Sequence, residues 1–272
     1  MSDEITRVVP IKGLRKINLS ELWQFRELLG VLIEKEIKVR YKQTLIGVMW
    51  AILQPVLTMM VFTVFFGRFT NAFSGEVPYP FFAYSGLILW SYFSAGLTAT
   101  SNSLIDNSLL ISKVYLPKLL IPLAASLTPG VDYLVTATVL FGLAVYYQIP
   151  IRLTWLLIPG AWGVTWILTA GLGFWLGGLN VKYRDVRYAL PFFIQLLIFA
   201  SPVIYPLETV GKYRLLIQLN PISGLIELQR NLLLGGVVDW ELVVYSTIVS
   251  LIIFGTGLIY FKSVERYFAD KI

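Results

Sequence analysis

Six apolar runs, each about long enough to cross a bilayer, decide what this chain can fold into. A hydrocarbon core about 30 Å thick needs about 20 apolar residues of helix at a rise of about 1.5 Å per residue. The runs cover Leu45 to Phe66, Tyr79 to Thr100, Leu119 to Tyr147, Leu153 to Leu179, Tyr188 to Tyr205 and Leu242 to Phe261. Asp132, in the third run, is the sole Asp, Glu, Lys or Arg inside them. None alternates with a strict period of two, and each is far longer than the roughly ten-residue strand of an outer-membrane barrel. The sequence therefore predicts an all-α membrane protein with six transmembrane helices.

Basic loops resist translocation, so lysine and arginine set the orientation. Residues 1–44 hold Arg7, Lys12, Arg15, Lys16, Arg26, Lys35, Lys38, Arg40 and Lys42. Lys113 and Lys118 follow the second run, Lys182, Arg184 and Arg187 the fourth, and Lys262, Arg266 and Lys271 the sixth. The opposite side holds Arg68, Arg152, Lys212, Arg214 and Arg230. This places both termini in the cytoplasm and divides the chain into a cytoplasmic N-terminal segment 1–44, a membrane domain 45–262 and a tail 263–272. The net charge of +6 is then explained by basic loops beside anionic lipid, with no nucleic acid partner. No cleavable signal peptide is expected, because the first apolar run follows a long charged segment.

In that segment Asn18 and Glu21 resemble a capping box, and Leu22, Phe25, Leu29 and Leu32 recur at helical spacing. Glu34 and Lys38 form an (i, i+4) pair. The reading is an amphipathic interface helix from Ser20 to about Lys42, seated on the membrane surface by Trp23 and Phe25; packing on a soluble partner is the alternative. After the second run, SLIDNSLLISKVYLPK offers a polar start at Asp106 and Asn107, apolar Leu109, Leu110 and Ile111, then Lys113 and a stop at Pro117. A short helix held there suits docking in a groove of another protein, or is an ordinary connector.

Between the fifth and sixth runs, LLIQLNPISGLIELQRNLLLGG is apolar but broken at Asn220-Pro221 and carries Glu227 and Arg230. Proline disfavours helix at the residue before it, so two short halves are expected. They read as a re-entrant extracytoplasmic helical hairpin acting as a gate, or as a surface-lying hairpin. Within the runs, Gln54, Thr58 and Phe62 share one stripe, Ser91, Ser94 and Thr98 a second, and Phe192, Gln195 and Phe199 a third. Such residues line pathways or hydrogen-bond between helices. Gly173 and Gly177 form GxxxG, a sign of close packing, and the role of Asp132 is open. The 40 aromatic residues fit interfacial belts and packing, although aromatic faces also stack on sugars.

Zero cysteines and zero histidines exclude disulfides, thiolate metal sites and imidazole chemistry, so no metal or cofactor is expected in this chain. Gly211-Lys212 precedes Tyr213 and lacks an upstream glycine, so it is no phosphate-binding loop. No nucleophile–base pair is visible; Asp239 and Glu241 are the close external acids. Neither an enzyme nor an ion-coupled carrier is favoured. Six spans are few for a whole pathway, which suggests a homodimer around one pore.

The stretch EIKVRYKQTLIGVMWAILQPVLTMMVFTVFFG, Glu36 to Gly67, resembles the start of the ABC transporter type 2 permeases that export polysaccharides, the Wzm and TagG group serving O-antigen and teichoic acid. YLPK at Tyr115 to Lys118, LNVKYRDVR at Leu179 to Arg187, SPVIYP at Ser201 to Pro206 and LNPI at Leu219 to Ile222 extend the likeness over nearly the whole chain. The resemblance implies a homodimeric permease bound to two cytoplasmic ABC ATPase subunits, which carry ATP and magnesium. It implies ATPase coupling through Asp106 to Val114 and a second cytoplasmic contact at Lys182, Arg184, Asp185 and Arg187. It also implies gate helices around Asn220-Pro221. Charge and depth place Arg40 and Lys42 at the lipid headgroups, where they would meet the diphosphate of a polyprenyl-linked polysaccharide. An exporter of drugs or small lipids is the alternative within the family.

Overall fold

The computed structural model describes residues 23–42, 47–67, 77–114, 116–265 and 268. Among them every regular element is helical: α1 Arg26–Tyr41, α2 Met49–Phe66, α3 Tyr79–Asp106, α4 Ser108–Lys113, α5 Leu120–Leu127 and α6 Pro129–Tyr146. A 3-10 segment, Leu153–Leu157, leads into α7 Ile158–Lys182, followed by α8 Asp185–Leu197. A second, Leu207–Tyr213, precedes α9 Arg214–Gln218, α10 Pro221–Leu234 and α11 Trp240–Val264.

Four stretches are long and apolar enough to cross a membrane: α2, α5 with α6, the 3-10 segment with α7, and α11. The second run is not among them, although α3 has 28 residues and so reaches about 42 Å. Its composition explains this. Ser85, Ser91, Ser94, Thr98, Thr100, Ser101 and Ser103 lower its hydropathy, and α5, α6, α7 and α10 pack round it so that it is largely buried. The helix at the centre needs less apolar surface than helices such as α2 and α11, little of which is buried.

Two runs are not single helices. The third is divided at Thr128, where Pro129 has no N–H to donate to the carbonyl one turn back, although Thr128 keeps helical dihedrals and the two halves together make one membrane-length stretch. The fifth run is helical only to Leu197, which limits α8 to about 20 Å; turns at 198–203 follow, with Pro202 unable to continue the ladder.

The N-terminal helix begins within the expected segment; Asn18, Glu21 and Leu22 lie outside the described residues. The expectation that Phe25 seats it in lipid is corrected. Phe25, Leu28, Leu29, Leu32 and Ile33 pack on Leu116, Leu120, Ile121 and Ala124, so this apolar face is covered by the start of α5. Trp23 remains exposed. Glu34 and Lys38 pair at 2.5 Å, and the hydrogen bond from Lys38 holds the Glu34 carboxyl below the usual carboxylate range.

Glycine fixes the closest helix crossings. Gly173 faces Thr100 of α3, and a Cβ at Gly177 would come within 3.4 Å of the Thr100 carbonyl, as the GxxxG spacing anticipates. At the α7–α11 crossing it is backbone that approaches: a Cβ on Gly171 would lie 2.6 Å from the Phe254 backbone. Backbone cannot rotate aside as a side chain can. Gly171→Ala is therefore expected to cost about 1–3 kcal/mol by overpacking, seen as a lower Tm in detergent. Gly163→Ala, where a Cβ meets nothing within 4 Å, serves as a control expected to be neutral or stabilising.

Candidate functional site

A cavity of about 670 Å³ opens between α2, α3, α6 and α8. Its wall takes Gln54 and Thr58 from α2, Ser91, Ser94 and Thr98 from α3, and Gln195 from α8. These are the polar members of the three stripes read from the sequence. The remaining members lie elsewhere: Phe62 packs on Phe66 and toward Tyr79 and Phe82, while Phe192 and Phe199 are exposed off this wall. Several hydroxyls are already engaged with their own helix, as in Thr58 to the Gln54 carbonyl and Thr98 to the Ser94 carbonyl. Each keeps its oxygen lone pairs for another partner. Trp90, Asn102, Tyr133 and Thr136 also line the space; the sequence reading passed over them.

Arg40 and Asp132 meet on this wall. The Arg40 guanidinium donates to Asp132 Oδ2, joining the last turn of α1 to the first turn of α6. The carboxylate inside an apolar run thus has a positive partner, as the cost of burying an isolated charge demands. Lys42, just beyond α1, is exposed.

The end of α3 forms a second cluster. Asp106 pairs with Arg187 of α8 at 3.4 Å. The expectation that Asn107 caps the short helix is corrected: its side chain makes no cap hydrogen bond. Asn107 is instead buried, its Oδ1 accepting from Lys35 at 2.5 Å while Nδ2 donates to the Ser103 carbonyl at 3.0 Å and Glu36 Oε1 at 3.4 Å. Beyond it α4 rests on the bundle through Leu110 and Ile111, with Leu109, Lys113 and Val114 exposed. Lys182, Arg184 and Asp185 are exposed at the α7–α8 corner, with the Lys182 ammonium 5.0 Å from the Tyr183 ring centroid.

At the far end of α3, the chain breaks between α9 and α10 at Asn220-Pro221. Asn220 caps α10 by accepting from Ile222 N–H at 3.4 Å, and its Nδ2 donates to Ser201 Oγ at 3.0 Å. Arg230, 2% exposed, donates to Glu227 Oε1 and the Pro202 carbonyl at 2.8 Å and to the Val203 carbonyl at 2.9 Å. Its guanidinium also lies 3.8 Å from the Phe82 ring centroid. Gln229 beside it donates to the Ser85 carbonyl and accepts from Tyr133 Oη, both at 2.7 Å.

A helical bundle with four membrane-length apolar stretches, a partly polar cavity and a fixed helical break at one end is a multi-pass membrane protein of permease build. The profile of the ABC-2 type transporters matches residues 27–234, and the chain belongs to that family. It is 28% identical over 263 residues to an O-antigen export system permease protein RfbA of Klebsiella pneumoniae, covering 94% of this chain and 97% of that one. The RfbA permease of Myxococcus xanthus is also 28% identical, over 93% of this chain and 98% of its own. The polysialic acid transport protein KpsM of Escherichia coli is 24% identical over 85% and 91% of the two chains.

Proposed function

We propose that this chain is the transmembrane subunit of an ATP-driven exporter that moves lipid-linked polysaccharide, of O-antigen, teichoic acid or capsule type, across the bacterial inner membrane. The observation that carries the reading is the wall of hydroxyls and amides around the cavity, in a chain whose relatives are named for O-antigen and polysialic acid export. A sugar polymer sheds water as it enters a membrane protein, and such a wall returns hydrogen bonds, while Arg40 and Asp132 on it neutralise one another.

In this reading the chain crosses the membrane six times, with segment 1–44 and tail 263–272 cytoplasmic and the permease domain at 45–262. Two copies enclose the pore, and α9 with α10 form the re-entrant gate held at Asn220, Pro221, Glu227 and Arg230. Two cytoplasmic ABC ATPase subunits bind ATP and magnesium, this chain holding no cofactor. They grip Leu109, Leu110, Lys113 and Val114, with Lys182, Arg184, Asp185 and Arg187 as a second contact. The links from Asp106 to Arg187 and from Asn107 to Lys35 support the reading, since a push on α4 reaches α8 and α1 through them. Arg40 and Lys42 receive the diphosphate of the polyprenyl carrier.

Gentle purification of the tagged chain from its native membrane tests this. An ATP-binding-cassette subunit is expected in equal amount, with a chain mass on sizing that corresponds to two permeases. A preparation that transports glycan with no ATPase present would overturn the reading, as would an ATPase whose activity responds to small lipids and not to lipid-linked glycan.

A further inference from the structure

Arg40 and Asp132 do not form a complete fork. A carboxylate facing arginine squarely takes two parallel N–H bonds, one on each oxygen. Here Oδ2 takes the Arg40 bond, while Oδ1 is buried without a hydrogen-bond partner among the described residues. The side chains are 33% and 23% exposed, on the wall of the 670 Å³ cavity and of an adjoining space of about 260 Å³ lined by Tyr41, Trp50 and Gln54. A half-satisfied pair at a wet edge is a poor structural clamp. It is, however, an effective way to hold an arginine neutralised and still reachable. Guanidinium has five N–H donors and the bond to Asp132 engages one nitrogen, so the exposed third of the Arg40 side chain can meet a second anion approaching through the cavity.

We infer that Asp132 is the resident counter-ion of a diphosphate site centred on Arg40, and that it sets the selectivity of that site by competing with the entering anion. The inference rests on the reading of Arg40 as a headgroup contact. A singly charged headgroup offers Arg40 no more charge than Asp132 does. A diphosphate carries at least two charges and oxygens spaced for more than one guanidinium N–H, so it displaces the carboxylate where a monoanion does not. As it arrives, like-charge repulsion drives Asp132 away from Arg40 and uncouples α6 from the end of α1.

The test is titration of inorganic diphosphate into the full-length chain in nanodiscs of zwitterionic lipid, without ATPase or nucleotide. Asp132→Asn is expected to bind about tenfold more tightly than the unaltered chain, because the like charge is gone. It should also gain binding of dimethyl phosphate, a monoanion that the unaltered chain should not hold. Asp132→Glu should keep the original affinity and Arg40→Gln should lose binding. If Asp132→Asn does not fold, Asp132→Ser removes the same charge and is held to the same result. Equal or weaker binding without the carboxylate, binding that survives Arg40→Gln, or no binding by any form overturns the inference. Competition by polyprenyl diphosphate in the nanodisc assigns the site to a lipid headgroup; its absence, with diphosphate bound, assigns it to a free diphosphate. Because the measurement uses this chain alone, its failure would leave ATPase co-purification untouched, and the reverse also holds.

Discussion

Arg230→Ala is expected to destabilise the protein by about 3–5 kcal/mol, the cost of leaving a buried charge without its partner. Three groups lose their donor at once: Glu227 Oε1 and the carbonyls of Pro202 and Val203. The stack on Phe82 is lost with them. The surroundings cannot collapse to compensate, since Gly86 is present so that the guanidinium fits; a Cβ there would lie 2.8 Å from Arg230 Nη2 and 3.0 Å from the Val203 carbonyl. Arg230→Lys keeps the charge but offers one nitrogen where the site uses two, so its loss should be smaller but clear. Thermal unfolding in detergent measures all three chains. Arg230→Met with Glu227→Leu should recover much of the stability, because removing both charges removes the unpaired one. If Arg230→Ala unfolds at the original temperature, the link from α10 to Pro202 and Val203 is not what holds this end of the bundle.

That network shows where sequence reading stops. Length and apolarity made the bundle legible, and the 3.6-residue period made the polar stripes legible, because Gln54, Thr58, Ser91, Ser94, Thr98 and Gln195 stand out against apolar neighbours. Prolines were less informative. Pro55 and Pro191 lie inside helices, whereas Pro129 begins one and Pro202 follows the end of another. A lost hydrogen bond can be made good by neighbouring helices, so packing decides which proline breaks the chain. Pairing was out of reach for the same reason. Arg40 with Asp132 and Lys35 with Asn107 are 92 and 72 positions apart, and nothing local to Asp132 says which of many basic residues will meet it. The signal that existed was the cost of an unpaired intramembrane carboxylate, which demands a partner without naming it. The interface helix was legible as amphipathic, but what covers its apolar face depended on where α5 lies.

Leu109→Asp is expected to abolish export while leaving the permease folded. Leu109 is 72% exposed on α4, a helix with no buried residue that turns Leu109 away from its packed side, and Lys113, Lys182 and Arg184 also reach solvent. So exposed an apolar side chain contributes little to this chain alone, so the substitution should change its stability by no more than about 0.5 kcal/mol. At an interface the balance reverses. An apolar knob that fills a partner's groove accounts for about 2 kcal/mol or more of binding, and a carboxylate in that groove adds a desolvation cost with no compensating pair. Unchanged thermal unfolding, together with loss of ATPase co-purification and at least a tenfold fall in glycan export, would mark α4 as the docking element. Asn107→Ala separates docking from transmission, because it removes the acceptor for Lys35 while leaving Leu109 in place. It should retain the ATPase yet weaken the response of hydrolysis to substrate. An ATPase lost equally from both variants would mean that Asn107 positions α4 and passes nothing on to α1.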